Sequence, residues 1–286
     1  MNEASYYEKK NGKVQCHLCP FECVIGEGKL GNCGVRKNQK GNLYSMAYGK
    51  PVSVAIDPIE KKPLHHFLPG TKIFSVGTAG CNLHCKWCQN WEISQAKAAE
   101  LEEQEASPEE IVEAAIEAKC PSIAFTYNEP MVFYEYALDT AKIARKRGIK
   151  TVIVSNGFVN KEPLEEFCRH LDAANIDLKS FDDKFYRKYT GAWLEPVLES
   201  LKILKKKKVH LEITNLVIPG LNDDMKKIEE MCKWIKEELG DVPLHFSAFF
   251  PCYKMQDITP TTREVLEKAK KTGEKYLKNV HLGNIF

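Results

Sequence analysis

TKIFSVGTAGCNLHCKWCQN, residues 71–90, runs a short apolar stretch straight into three closely spaced cysteines, setting a soft-ligand loop at the end of a strand. Within it, KIFSV (72–76) has the length and composition of a buried strand. Downstream, Ser107-Pro-Glu-Glu110 is a capping box with proline at the first helical position, and Ile111, Ala115 and Ala118 continue it as a helix. SIAFT (122–126) then reads as a strand, 131–147 as a helix, TVIVS (151–155) as a strand and 162–170 as a helix. ANIDL (174–178), HLEITNLVI (210–218) and LHFSAF (244–249) are further strands, followed by helical patterns at 195–207, 224–239 and 261–277. Six strand–helix units in succession predict an α/β fold with a parallel sheet and right-handed crossovers. Six fall short of a closed eight-fold barrel. The expectation is therefore a partial (β/α)6 TIM-like barrel over 71–286, with active residues at the C-terminal strand ends. Residues 1–70, rich in Gly, Cys and charge near the start, are expected to form a small N-terminal cysteine-rich metal-binding lobe and a linker.

The 286 residues carry 41 basic and 39 acidic side chains, a balance that excludes recruitment of nucleic acid by overall charge. The Lys205–Lys208 run ends a predicted helix, where positive charge suits the helix dipole. The N-terminus has no apolar h-region, and no stretch approaches the ~20 apolar residues of a membrane span, so a cytoplasmic protein is expected. Thiols in that compartment stay reduced. Eleven cysteines, seven of them in two tight groups, then point to metal or redox chemistry.

Cys81-x3-Cys85-x2-Cys88 offers three thiolates within eight residues. Soft thiolates select iron–sulfur or zinc, and three of them on a cubane leave one iron open to a substrate. Zinc would need a fourth ligand, for which His84 is the nearest candidate. Gly77 and Gly80 permit a tight loop, and Trp87 can shield a cluster from water. Cys16, Cys19, Cys23 and Cys33 form a second set suited to either a closed zinc site or an iron–sulfur site. Cys120, Cys168 and Cys232 read as packing residues, whereas Cys252 falls near the barrel mouth. Alternation places Asp177 and Lys179 on one face of their strand, an inward charged pair that is costly unless something binds it. Glu212 faces inward with Thr214 and Leu216, a candidate for ligand contact, while Asn222 or Asp223 is expected to cap the next helix. PIEKKPLHHFLPG (58–70), with His65 and His66, reads either as a lining of the barrel's open side or as a polar linker.

The Cys-x3-Cys-x-aromatic-Cys spacing, together with PIEKKPLHHFLPG and VQCHLCPFECVIGEGKLGNCGVR (14–36), resembles the AmmeMemoRadiSam system radical SAM proteins, relatives of the pyruvate formate-lyase activating enzymes. The resemblance implies a 4Fe–4S cluster on Cys81, Cys85 and Cys88 that reductively cleaves S-adenosylmethionine (SAM), yielding a 5′-deoxyadenosyl radical that abstracts hydrogen from an unidentified substrate. It also implies that Glu129, beside Asn128, meets the SAM ammonium, that Ser155 and Asn156 meet its ribose or carboxylate, and that the Asp177–Lys179 pair contacts it, with Lys179 on the carboxylate. His245 matches a ribose-contacting position. An electron donor such as ferredoxin or flavodoxin, and Memo-like and AMMECR-type proteins, are the implied partners. The competing expectations are an activase that makes a glycyl radical on a protein and a zinc-stabilised binding protein without enzymatic activity.

Overall fold

The computed structural model describes residues 2–97, 100 and 104–285. Two small antiparallel sheets begin the chain. One joins β1 (Asn2–Glu3), β5 (Arg36–Gln39) and β6 (Asn42–Ser45), the other β2 (Tyr7–Lys10), β3 (Lys13–Cys16) and β4 (Val24–Ile25). The central sheet has eight strands in chain order: β7 (Ser53–Pro58), β8 (Lys72–Gly77), β9 (Ser122–Phe125), β10 (Lys150–Ser155), β11 (Ala173–Asp177), β12 (His210–Val217), β13 (Leu244–Ala248) and β14 (Val280–Gly283). β8 to β14 run parallel, and β7 lies antiparallel against β8. Strands such as β9, buried along their whole length, are covered on both faces, as parallel sheets require.

The sheet therefore holds the six expected strands and two more, one at each edge. Residues 53–58, expected in the linker, supply the first. Helices α1 (Trp91–Ser94), α2 (Pro108–Glu117), α3 (Tyr134–Lys146), α4 (Lys161–Phe167), α5 (Asp183–Tyr189), α6 (Glu195–Lys206), α7 (Met225–Leu239) and α8 (Arg263–Gly273) occupy the crossovers. The capping box forms as expected: Ser107 Oγ accepts from Glu110 N at 3.2 Å and Glu110 Oε2 from Ser107 N at 2.7 Å. α5 was not expected, and Asp182 starts it by accepting from Lys184 N at 2.7 Å. The cap of α7 is Asp224, accepting from Lys226 N, rather than Asn222 or Asp223. Asn222 instead ties together the loop after β12, donating to Lys179 O and Leu216 O, and Asp223 accepts from Gly220 N.

The N-terminal segment shares one continuous hydrophobic core with the barrel. Asn160 N donates to Leu18 O at 3.1 Å and its Nδ2 to His17 O at 2.8 Å. Phe21 packs on Phe158 and Trp193. Gly80 marks the tightest seam. Its φ is +89°, and a Cβ there would lie 2.5 Å from Cys33 O and 2.6 Å from Val35 Cγ1, so only glycine lets the two cysteine loops meet.

Candidate active site

The loop leaving β8 carries Cys81, Cys85 and Cys88 onto the C-terminal rim of the sheet, where they line a large open cavity with Glu129, Asp177 and Lys179. Trp87 lines the same cavity and packs on Phe185 with ring centroids 5.4 Å apart. Burial holds the Cys81 thiol well above its usual range and pushes Cys85 up to about 12, the latter partly relieved by Lys179. Binding of a metal must therefore release protons here. Donors are in place for the sulfurs: Leu83 N lies 3.4 Å and Asn156 Nδ2 3.7 Å from Cys81 Sγ, and Ser94 Oγ 3.1 Å from Cys88 Sγ. His84 is no ligand. Its Nδ1 meets Gln95 Oε1 at 2.7 Å and its Nε2 Asn32 Oδ1 at 3.1 Å, which engages both ring nitrogens.

Glu129 is buried at the end of β9 and reaches across the strand ends. It accepts from Ser155 Oγ at 2.8 Å, Asn156 N at 2.8 Å and Met131 N at 3.0 Å. Burial raises its pKa to about 7, against the pull of those three donors. Lys179 Nζ sits 3.0 Å from Asp177 Oδ2. Burial opposes its charge, but Asp177 and the nearby Cys85 sulfur outweigh that and hold it above the ordinary lysine range. Strand β11 ends at Asp177, so the pair is joined by this ion pair rather than by strand alternation. Asn128 was expected beside the SAM ammonium. It lines the same cavity and also braces the cysteine loop, donating to Thr78 Oγ1, Ala79 O and Gly80 O and accepting from Thr78 N.

Glu212 and His245, also expected on SAM, lie outside the lining of this cavity. They belong to a deeper layer, toward the N-terminal end of the strands, which the 58–70 segment plugs. Glu212 accepts from His65 N at 3.1 Å, His66 N at 2.8 Å, His210 Nε2 at 3.0 Å and His245 Nε2 at 2.6 Å. These donors hold its carboxyl below the usual range against the effect of burial. His66 Nε2 meets His281 Nε2 at 2.8 Å, and Pro63 O accepts from Asn175 Nδ2, so the plug spans from β11 to β14. Burial, then repulsion from His245, His65 and His66, lowers the His281 pKa to about 4. An unfolded histidine takes up its proton near pH 6.5. The neutral folded form thus contributes stability above about pH 6.5 that is lost as pH falls toward about 4. The urea midpoint of the wild type is expected to drop between pH 6.5 and 5, and His281→Gln to flatten that drop; parallel curves for the two proteins would refute it.

Two further groups stand beside the site: the first belongs to Asp57 and the PIEKKPLHHFLPG segment, read from sequence as a lining of the barrel's open side or a polar linker, and the second was missed by sequence reasoning. Lys62 is buried, with Nζ 2.6 Å from Asp57 Oδ2 and 4.3 Å from the centroid of the Tyr127 ring, whose hydroxyl donates to the same Asp57 oxygen at 2.6 Å. This triad closes one side of the cavity, and only the three-dimensional path of β7 brings it there. Asn82 is the other. It is fully buried between the Cys81 loop and the N-terminal cysteines, donating to Phe158 O at 2.7 Å and accepting from Asn156 Nδ2 at 2.9 Å. Cys16, Cys19, Cys23 and Cys33 come together around a separate, small and largely apolar cavity. Cys252 Sγ donates to Cys88 O at 3.5 Å but lies outside the lining of the active-site cavity.

Comparison with known proteins agrees with this arrangement. The Radical SAM superfamily model matches residues 75–235, and the cofactors of that family are a 4Fe–4S cluster and SAM. The chain is 48% identical over 288 aligned positions to an uncharacterised protein of Methanocaldococcus jannaschii, covering 100% of this chain and 86% of that one. It is 27% identical over 221 positions to the pyruvate formate-lyase-activating enzyme of Clostridium pasteurianum, covering 70% and 88% respectively. Among solved structures, a radical SAM methyltransferase from Sphaerobacter thermophilus shares the fold with a TM-score of 0.60 at 13% identity, over 76% of this chain and 67% of that one. Three rim thiols with an open cavity before them fit a cluster with a free corner, and the non-enzymatic zinc alternative falls away. With the family model covering more than half of the chain, this protein belongs to the radical SAM superfamily and is an enzyme of that type.

Proposed function

We propose that this enzyme cleaves SAM reductively and uses the resulting 5′-deoxyadenosyl radical to take hydrogen from a substrate. The observation that carries the reading is that three thiols, a buried carboxylate and a largely covered ammonium share one cavity. Cys81, Cys85 and Cys88 would hold the cluster, which when bound supplies the electron for C–S cleavage. Glu129 is the acceptor for the ammonium of SAM, and Lys179, steadied by Asp177, is the donor for its carboxylate. Ser155 and Asn156 hold Glu129 in place, and Asn156 also places its amide beside Cys81. Trp87 and the β8 loop exclude water from one side. The test is reduction of the anaerobically reconstituted protein with SAM: 5′-deoxyadenosine and methionine are expected, and their absence from fully loaded protein, with every candidate substrate tried, would refute the reading.

The raised pKa of Glu129 gives a second test. A cation is best met by the carboxylate, so SAM affinity is expected to fall as pH drops below about 7. Glu129→Gln, losing a charge-assisted hydrogen bond, should bind SAM about 10- to 100-fold more weakly and show a flatter pH profile, measured by calorimetry. An unchanged affinity would remove Glu129 from the site.

The similarity to a pyruvate formate-lyase-activating enzyme favours a second reading, in which the substrate is a protein that acquires a glycyl radical. An electron donor of ferredoxin or flavodoxin type and Memo-like or AMMECR-type partner proteins belong to the same proposal. Among the described residues, no helix is long and apolar enough to cross a membrane.

A further inference from the structure

The four N-terminal cysteines wall a cavity whose other sides are apolar, among them Leu18, Ile25, Met131 and Val132. One charged side chain joins the lining. Arg36 is 1% exposed, and among the described residues its Nε has no hydrogen-bond partner. A buried N–H of this kind needs an acceptor, and sulfur bearing negative charge is the acceptor that this cavity would offer. Four thiolates suit either a closed zinc site or an iron–sulfur site, so the ligand set alone does not choose between them.

The position of the cavity also matters. Asn82 lines it, follows Cys81 directly in sequence, and accepts from the same Asn156 amide that lies 3.7 Å from Cys81 Sγ. Asn32, beside Cys33, donates to Asn82 O at 2.9 Å, and Gly80 is pressed against the Cys33 carbonyl. One buried residue with its hydrogen bonds thus separates the two sets of thiols. A purely structural ion would need no such closeness.

We propose that Cys16, Cys19, Cys23 and Cys33 bind a 4Fe–4S cluster that passes single electrons to the active-site cluster across Asn82. In each transfer the N-terminal cluster is oxidised by one electron and the active-site cluster reduced by one. A low-potential one-electron donor of ferredoxin or flavodoxin type restores the first, and no proton moves. The relay rests on the reading of the active site given above, whereas the metal content of the N-terminal cavity does not.

The test separates the two. In Cys81→Ala/Cys85→Ala/Cys88→Ala protein, reconstituted without oxygen, the active-site cluster is gone. About four iron and four sulfide per chain, with an electron paramagnetic resonance signal after dithionite reduction, are expected from the N-terminal cavity alone. Zinc without sulfide, or no metal, would overturn the assignment. Should that variant not fold, the wild type decides: about eight iron per chain is expected, and about four iron with one zinc overturns it. The fully reduced wild type should also show a spectrum broadened by coupling between two nearby spins. Two independent, unbroadened signals would overturn the relay while leaving the active-site cluster standing.

Discussion

Cys85→Ala protein, purified and reconstituted without oxygen, is expected to form no detectable 5′-deoxyadenosine from SAM, whereas Cys252→Ala should keep wild-type activity. The contrast follows from where the two thiols lie. Cys85 is buried in the floor of the cavity beside Lys179, and the three rim thiols leave no surplus: losing one removes a corner from the cluster rather than weakening it. Cys252 lies beside the set, but its Sγ is turned to the Cys88 carbonyl at 3.5 Å and is absent from the cavity lining. The loss should also exceed that of Glu129→Gln, which weakens one contact to SAM by about 10- to 100-fold without touching the cluster. Iron analysis distinguishes loss of the active-site cluster from loss of the fold. Activity persisting in Cys85→Ala would mean that the rim thiols are not the cluster ligands.

The fold was legible wherever a strand was buried on both faces. Runs such as SIAF and TVIV admit no polar alternation, and the helices between them carry their own start signals. The two edge strands escaped for opposite reasons. β7 is half-exposed and ends in proline, so it looked like linker, and β14 is only four residues long. Cysteine spacing singled out Cys81, the family resemblance pointed to Glu129, and that resemblance with the Asp177 pairing pointed to Lys179; all three line the cavity. Depth was not readable. Alternation correctly put Glu212 on the inner face with Thr214 and Leu216, yet it cannot say how far along the barrel axis a side chain lies. Glu212 is two residues below Thr214, and that step takes it from the cavity lining into the histidine plug. Nor could the sequence show that the amide of Asn128 is fully engaged by its neighbouring loop, because those hydrogen bonds join strands 50 residues apart.

Arg36→Leu is expected to lower stability by about 3–5 kcal/mol, the loss typical of stranding a buried charge. Arg36 is 1% and Glu135 6% exposed, and Arg36 Nη1 lies 3.1 Å from Glu135 Oε1. Ser5 completes the link, giving its N–H to Glu135 Oε1 at 2.7 Å and its carbonyl to Arg36 Nη2. The group fastens β5 and the chain's first residues onto α3. Glu135 Oε2 has no hydrogen-bond partner among the described residues, so without Arg36 the carboxylate would be left with little beyond the Ser5 amide. Arg36→Leu/Glu135→Leu removes both charges and should recover much of the loss, since a buried pair replaced by apolar groups is often close to neutral. Urea denaturation of wild type, both single variants and the double variant, at equal metal content, gives the coupling energy directly. A double variant as unstable as Arg36→Leu alone would show that the stranded carboxylate is not the cause. The loss would then lie with Arg36 itself, whose guanidinium also faces the four N-terminal cysteines, and iron retention in the Arg36→Leu protein would fall with it.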